Sequence, residues 1–105
     1  MISSTKVLIL GAGRVLKHYL YIFKKYKIKN FEIVAIVDKK KIDSSLIKYK
    51  NIYFRGLDEA LKKTNPNLAI ILTPSGLHYE HSKYLLKKGI NVLCEKPICI
   101  ASRQI

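Results

Sequence analysis

At 105 residues the chain has room for one domain, which on folding buries roughly two thirds of the surface its unfolded form exposes, and no room for a second. Its 49% hydrophobic content, with seven Tyr, three Phe and only three Pro, argues against a disordered tail or linker. A formal charge of +13 brings polyanions into consideration, but the lysines fall mostly late in candidate helices, where they complement the helix dipole and solvate an outer face, and arginine, the better base reader, is nearly absent.

The first apolar run, Lys6 to Leu10, reads as a strand. Its apolar part is too short for a signal-peptide core, and no run approaches the roughly 18 residues of a membrane span, so a cytoplasmic protein without a membrane partner is expected. "LGAGRVLKH" follows, with Gly11 and Gly13 between a strand and a helix. A G-x-G there permits a tight turn and close backbone approach to a pyrophosphate, whose charge the helix N-terminus favours; the alternative is a plain strand-to-helix turn. The third glycine position is Leu16, which is expected to crowd the packing of helix on strand. Val15, Tyr19, Ile22, Phe23 and Tyr26 then lie on one helical face.

A second strand, Phe31 to Val37, is closed by Asp38, where a carboxylate can accept bonds from ribose hydroxyls or act simply as a solvated turn residue. Lys39 to Lys50 is polar, a short helix or a loop. A strand over Asn51 to Phe54, a helix over Asp58 to Lys63 and a strand over Leu68 to Thr73 come next. "TPSGLH" ends the fourth strand: Thr73 and Pro74 stop it, Ser75 is suited to cap the following helix, and His78 sits in that helix's first turn, suited either to a cofactor edge or to capping and packing. The helix spans Leu77 to Lys88, with His81 toward the sheet and Gly89 as a C-cap glycine. The fifth strand, Asn91 to Cys94, runs into Glu95, Lys96 and Pro97. Cys94 and Cys99 have neither zinc-ligand company nor the numbers of a disulfide framework, Cys94 reading as a small apolar strand residue, and no metal site is expected. Short runs apolar at consecutive positions, alternating with helices, imply an α/β fold: a doubly wound parallel sheet covered on both faces.

The segments "GAGRV...H", "TPSGLHYEH" and "GINVLCEKPI" resemble, in order and spacing, the N-terminal domain of the Gfo/Idh/MocA oxidoreductases, over about residues 5 to 98. The resemblance implies a Rossmann-type dinucleotide-binding domain over residues 1–98, followed by a C-terminal tail over 99–105. It implies a cofactor held by Gly11, Gly13, Arg14, Val15, Asp38, Thr73, Pro74, Ser75, His78, Glu95 and Lys96. That cofactor is NAD, with NADP left open by the cations Lys39 to Lys41. Lys96 would be the catalytic residue, assisting proton loss from a hydroxyl as hydride leaves its carbon, with Glu95 on the ribose side. The implied substrate is a sugar, nucleotide sugar or polyol. Full members of the family are similar in carrying a second domain that shapes the substrate pocket, so this chain alone is expected not to be catalytically competent, and to need that domain or a homo-oligomer. Two other classes fit parts of the sequence. A non-catalytic dinucleotide-binding subunit or sensor would keep Gly11, Gly13 and Asp38 without needing Lys96. A basic nucleic-acid-binding module would need exposed aromatics among its lysines, whereas the tyrosines fall largely at helical core spacing, so no nucleic-acid partner is expected.

Overall fold

A computed structural model of the chain describes residues 5–26, 30–72, 78–94 and 99–101; at Arg14, Val15, Phe23, Tyr26, His78, Tyr79, Cys94 and 99–101 the description is of the backbone. Six strands form one sheet in the order β3-β2-β1-β4-β5-β6. They are β1 (Thr5–Leu10), β2 (Phe31–Val37), β3 (Tyr53–Phe54), β4 (Leu68–Ile71), β5 (Asn91–Cys94) and β6 (Cys99–Ala101). The first five are parallel and β6 is antiparallel to β5. Helices α1 (Arg14–Tyr26), α2 (Leu57–Thr64) and α3 (His78–Lys87) and a 3-10 helix (Ser44–Ile52) connect them. This is the expected doubly wound sheet of Rossmann type.

Both faces of the sheet are buried. On one, Leu8, Leu10, Ala35, Val37, Ala69, Ile71 and Val92 pack with Ala60 of α2 and Leu85 of α3. On the other, Val7, Ile9, Ile36 and Ile70 pack with Leu16 of α1 and Leu46 of the 3-10 helix. The alternation of β1 between these clusters explains why its apolar residues are consecutive: a strand covered on both sides has no solvent face. Pairing of β1 with β2 shifts between Val7 and Leu8, where Val7 lies opposite Ile33 but Leu8 opposite Ala35. Val34 is the extra residue of this bulge, and Val34 and Ala35 both join the first cluster. The shift sets Leu10 opposite Val37, which leaves Asp38 beside the first glycine.

Leu16 corrects the expectation of crowding. It is fully buried and fills the space between α1 and the sheet that a glycine would leave for closer packing. The ambiguous stretch after Asp38 is the 3-10 helix, begun by Asp43, whose carboxylate accepts from the Ser45 N–H at 2.9 Å and from its hydroxyl at 3.0 Å. That helix takes Asn51 and Ile52, so the third strand is confined to Tyr53–Phe54. Gly89 caps α3 as expected: at φ 85° it donates to the Leu86 carbonyl at 3.0 Å while Ile90 N–H donates to Leu85 at 3.1 Å, the paired bonds of a Schellman motif. Within the segment read as a C-terminal tail, Cys99–Ala101 pair along β5 and supply hydrogen-bond partners to what would otherwise be a sheet edge. No helix among the described residues is long and apolar enough to cross a membrane.

Candidate functional site

The strand order reverses between β1 and β4, since β1 connects outward to β2 while β4 lies on its other side. The crevice at the carboxyl ends of such a pair is where open α/β sheets bind ligands. Gly11 leaves β1 with φ 110°, a conformation that a side-chain-bearing residue adopts at a cost of about 1–3 kcal/mol, and its N–H donates to the Val37 carbonyl at 2.7 Å. Gly13 precedes α1, and a Cβ placed on it would meet nothing within 4 Å. The helix has no acidic residue in its own first turn, and the positive end of its dipole faces this open space. Those features suit a pyrophosphate.

Asp38 is more than a solvated turn residue. One carboxylate oxygen accepts from the Ala12 N–H at 2.7 Å and the other from the Lys40 N–H at 2.9 Å, while its own N–H donates to Phe54 at 3.1 Å. Each oxygen keeps a further lone pair for a ligand hydroxyl. Asp38 therefore fixes the glycine turn and presents charge at its lip.

Two residues that the sequence reading missed hold the turn after Asp38. The Tyr53 hydroxyl donates to the Lys40 carbonyl at 2.9 Å and Arg55 Nε to the Lys39 carbonyl at 2.8 Å. Burial pushes the Tyr53 phenol up, the Asp38 charge adds to that, and Arg55 opposes it. Only the adjacency of β3 to β2, with Phe54 opposite Val37, signals these contacts.

On the other side of the crevice, Leu72 N–H donates to the Leu10 carbonyl at 2.8 Å, which carries the β1–β4 pairing to the edge. Thr73, Pro74 and Ser75 lie outside the described residues, as do Glu95, Lys96 and Pro97. His78 begins α3, and Arg14 and Val15 begin α1; their backbones are placed there. His81 is half-buried on α3. The structure thus brings Gly11, Gly13 and Asp38 together, with the start of α1 beside them. Cys94 and Cys99, directly opposite each other, flank the E-K-P segment at the carboxyl end of β5. A groove of about 640 Å³ lies elsewhere, among Asn65, Pro66, Asn67, Gly89 and Ile90 and the adjoining parts of α2 and α3, at the amino ends of β4 and β5. It has no part in the crevice. Among the described residues no three His, Cys, Asp or Glu side chains gather as a metal site.

Residues 5–105 match the family model GFO_IDH_MocA, described as an oxidoreductase family with an NAD-binding Rossmann fold. The chain belongs to this family. Within the Gfo/Idh/MocA family it is 30% identical to D-glucoside 3-dehydrogenase of Escherichia coli, over 97% of this chain and 30% of that protein. It is 29% identical to inositol 2-dehydrogenase 1 of Paenarthrobacter aurescens, over 93% of this chain and 30% of the relative. An oxidoreductase from Bacillus cereus superposes with a TM-score of 0.77 at 26% identity, over 91% of this chain and 28% of that one. The WlbA dehydrogenase of Bordetella pertussis, solved with NADH and UDP-GlcNAcA, shares the fold at a TM-score of 0.75 and 24% identity, over 90% of this chain and 30% of that one. The chain spans about 30% of the length of these curated relatives. What it holds is the family's NAD-binding Rossmann part.

Proposed function

We propose that the chain is the NAD(H)-binding domain of an enzyme that transfers hydride between the nicotinamide and a hydroxyl-bearing carbon of a sugar, nucleotide sugar or polyol. The observation that carries this is the bond from Ala12 N–H to the Asp38 carboxylate at 2.7 Å, which unites the phosphate-accepting turn and the ribose-accepting acid in one unit at the switch point. The substrate class is supported by relatives named as glucoside and inositol dehydrogenases. Bound NAD supplies the hydride acceptor. Around it, Gly11 and Gly13 admit the pyrophosphate, the amides of Arg14 and Val15 meet its charge, and Asp38 takes the ribose hydroxyls. Thr73, Pro74, Ser75 and His78 are assigned to the cofactor by the family motif that they match.

Glu95 and Lys96 are assigned to the β5 side, Glu95 toward the ribose and Lys96 toward the substrate hydroxyl. An ammonium there stabilises negative charge developing on oxygen as the proton leaves. A further domain or a second subunit supplies the substrate wall, consistent with the share of its relatives that this chain spans. The same reading places the protein in the cytoplasm. Calorimetric titration with NADH, and with a short DNA duplex at two salt concentrations, tests it. Saturable NADH binding is expected, with duplex binding that collapses as salt rises; salt-resistant duplex binding without NADH binding would overturn the proposal.

A further inference from the structure

Strand β3 and the residue after it grip the turn that follows β2. The Tyr53 hydroxyl donates to the Lys40 carbonyl at 2.9 Å, the Phe54 carbonyl accepts from the Asp38 N–H at 3.1 Å, and Arg55 Nε donates to the Lys39 carbonyl at 2.8 Å. The Lys39 carbonyl and the Lys40 N–H belong to one peptide unit, which is planar and rigid. Arg55 holds the oxygen of that plane, and the N–H of the same plane donates to the Asp38 carboxylate at 2.9 Å. A guanidinium and a carboxylate are thereby joined through a single peptide group. We propose that Arg55 is a positioning residue for the cofactor's ribose: acting through the Lys39–Lys40 peptide unit, it fixes the orientation of the Asp38 carboxylate.

Two physical effects give this bond a reach beyond its own atoms. A peptide plane in a turn can flip, exchanging the directions of its C=O and N–H. With the Lys39–Lys40 plane flipped, a carbonyl oxygen would face the negative Asp38 oxygen and Arg55 would lose its acceptor, so both bonds select the same orientation. A charged donor on the carbonyl also polarises the peptide and makes its N–H a stronger donor to Asp38. Tyr53 holds the next plane, between Lys40 and Lys41, by its carbonyl, so the turn is gripped on both sides of Lys40. The other Asp38 oxygen is set independently by the Ala12 N–H at 2.7 Å. Bonded at both oxygens, the carboxylate has a fixed plane, and its remaining lone pairs point in set directions. Recognition of a ribose diol, two hydroxyls at fixed spacing, needs that arrangement. The consequence for the cofactor rests on Asp38 as the ribose acceptor, the reading proposed above; the peptide clamp itself does not.

Two substitutions in the full chain separate the donor from the charge. Glutamine carries its amide nitrogen as many bonds from Cα as arginine carries Nε, so Arg55→Gln keeps the donor and removes the charge, while Arg55→Met keeps the length and removes both. Calorimetry should show Arg55→Met binding NADH about three- to tenfold more weakly than the native chain, the range for one hydrogen bond. Arg55→Gln should bind NADH within about twofold of the native chain and keep a preference for NADH over NADPH that Arg55→Met loses. A merely structural role would weaken both cofactors alike, and that outcome would overturn the proposal. A Gln variant as weak as the Met variant would overturn it too, assigning the effect to charge. Amide hydrogen exchange needs no cofactor: the Lys40 N–H should exchange faster in Arg55→Met than in the native chain or Arg55→Gln, and equal rates in all three would overturn the clamp. A native chain that fails to bind NADH would refute the cofactor reading and with it the ribose assignment, an outcome distinct from unchanged NADH affinity in Arg55→Met, which would overturn this inference alone.

Discussion

The Asp38 carboxylate accepts a hydrogen bond from the Ala12 N–H at 2.7 Å, joining the end of β2 to the turn that follows β1. One side chain thereby has two tasks, shaping the glycine turn and offering a negative charge beside it. Its second oxygen is engaged by Lys40 N–H, so the turn after β2 is fixed by the same group.

Asp38→Ala should lower both stability and affinity. Hydrogen bonds to a charged group contribute about 1.5–3 kcal/mol each when buried, and partial exposure at Asp38 puts the expected loss at about 1–2 kcal/mol by urea denaturation. Calorimetry should show NADH binding at least about tenfold weaker, for about 1.4 kcal/mol or more. The native chain should prefer NADH to NADPH because the carboxylate repels a 2′-phosphate, and the variant should lose that preference. Equal affinities in the native chain would count against Asp38 as the ribose acceptor.

Leu16→Gly separates the family-like glycine pattern from the packing this chain uses. Removing a buried Leu side chain costs about 2–5 kcal/mol, and a glycine within a helix adds about 1 kcal/mol. The substitution should therefore destabilise the chain severely rather than improve the turn. A variant as stable as the parent, measured by its denaturation midpoint, would show that α1 moves onto the sheet and that Leu16 is a replaceable spacer.

Raising the pH should weaken the turn after Asp38. Tyr53 is pushed above its ordinary 10.0 first by burial and then by Asp38, so its protonated form is favoured in the folded state. Its stabilisation is fully present below the unfolded value and is lost as pH climbs through the higher folded value. Tyr84 is also raised, chiefly by its bond to Asp58, and behaves with the same sign. The gap in stability between the native chain and Tyr53→Phe should shrink above about pH 10. A constant gap from pH 8 to 11 would refute the assignment, and Tyr84→Phe serves as the control away from the crevice.

Much of this architecture is legible from residue pattern because burial on two faces leaves a plain mark: Val7 to Leu10 and Ala35 to Val37 are apolar without interruption, and each neighbour faces a different cluster. Gly89 was equally plain, since helix ends select for positive φ. The 3-10 helix left little pattern, having only Leu46 buried among its serines and lysines. β6 is three residues long and exists through pairing with β5, which no local periodicity reports. At the site, the glycines and Asp38 were readable as types, but the bond between Asp38 and Ala12 depends on register beyond the Val7–Leu8 bulge. Tyr53 and Arg55 act on backbone carbonyls, a partner that every residue offers, so nothing in their sequence context singles them out. The readings at Thr73 to Ser75 and Glu95 to Pro97 rest on motif resemblance and lie outside the described residues.

The 105-residue chain, supplied with NAD, should not oxidise any sugar or polyol by itself. Hydride transfer requires the carbinol carbon to be held against the nicotinamide at near-attack distance, and effective molarities of about 10⁵–10⁸ M come from that positioning alone. Gly11, Gly13 and Asp38, the residues proposed to hold the cofactor, gather at the β1–β2 side of the described crevice. A lysine in an open crevice is protonated near pH 7 and becomes a base only when burial lowers its pKa, so the role proposed for Lys96 requires a wall that excludes water. A substrate-binding wall both positions the carbon and excludes the water that keeps such a lysine charged. Inositols, hexoses and nucleotide sugars should therefore give no NADH absorbance above background, while NADH still binds. Turnover that vanishes in Lys96→Ala would overturn this prediction and show that the nucleotide-binding domain alone assembles a working site.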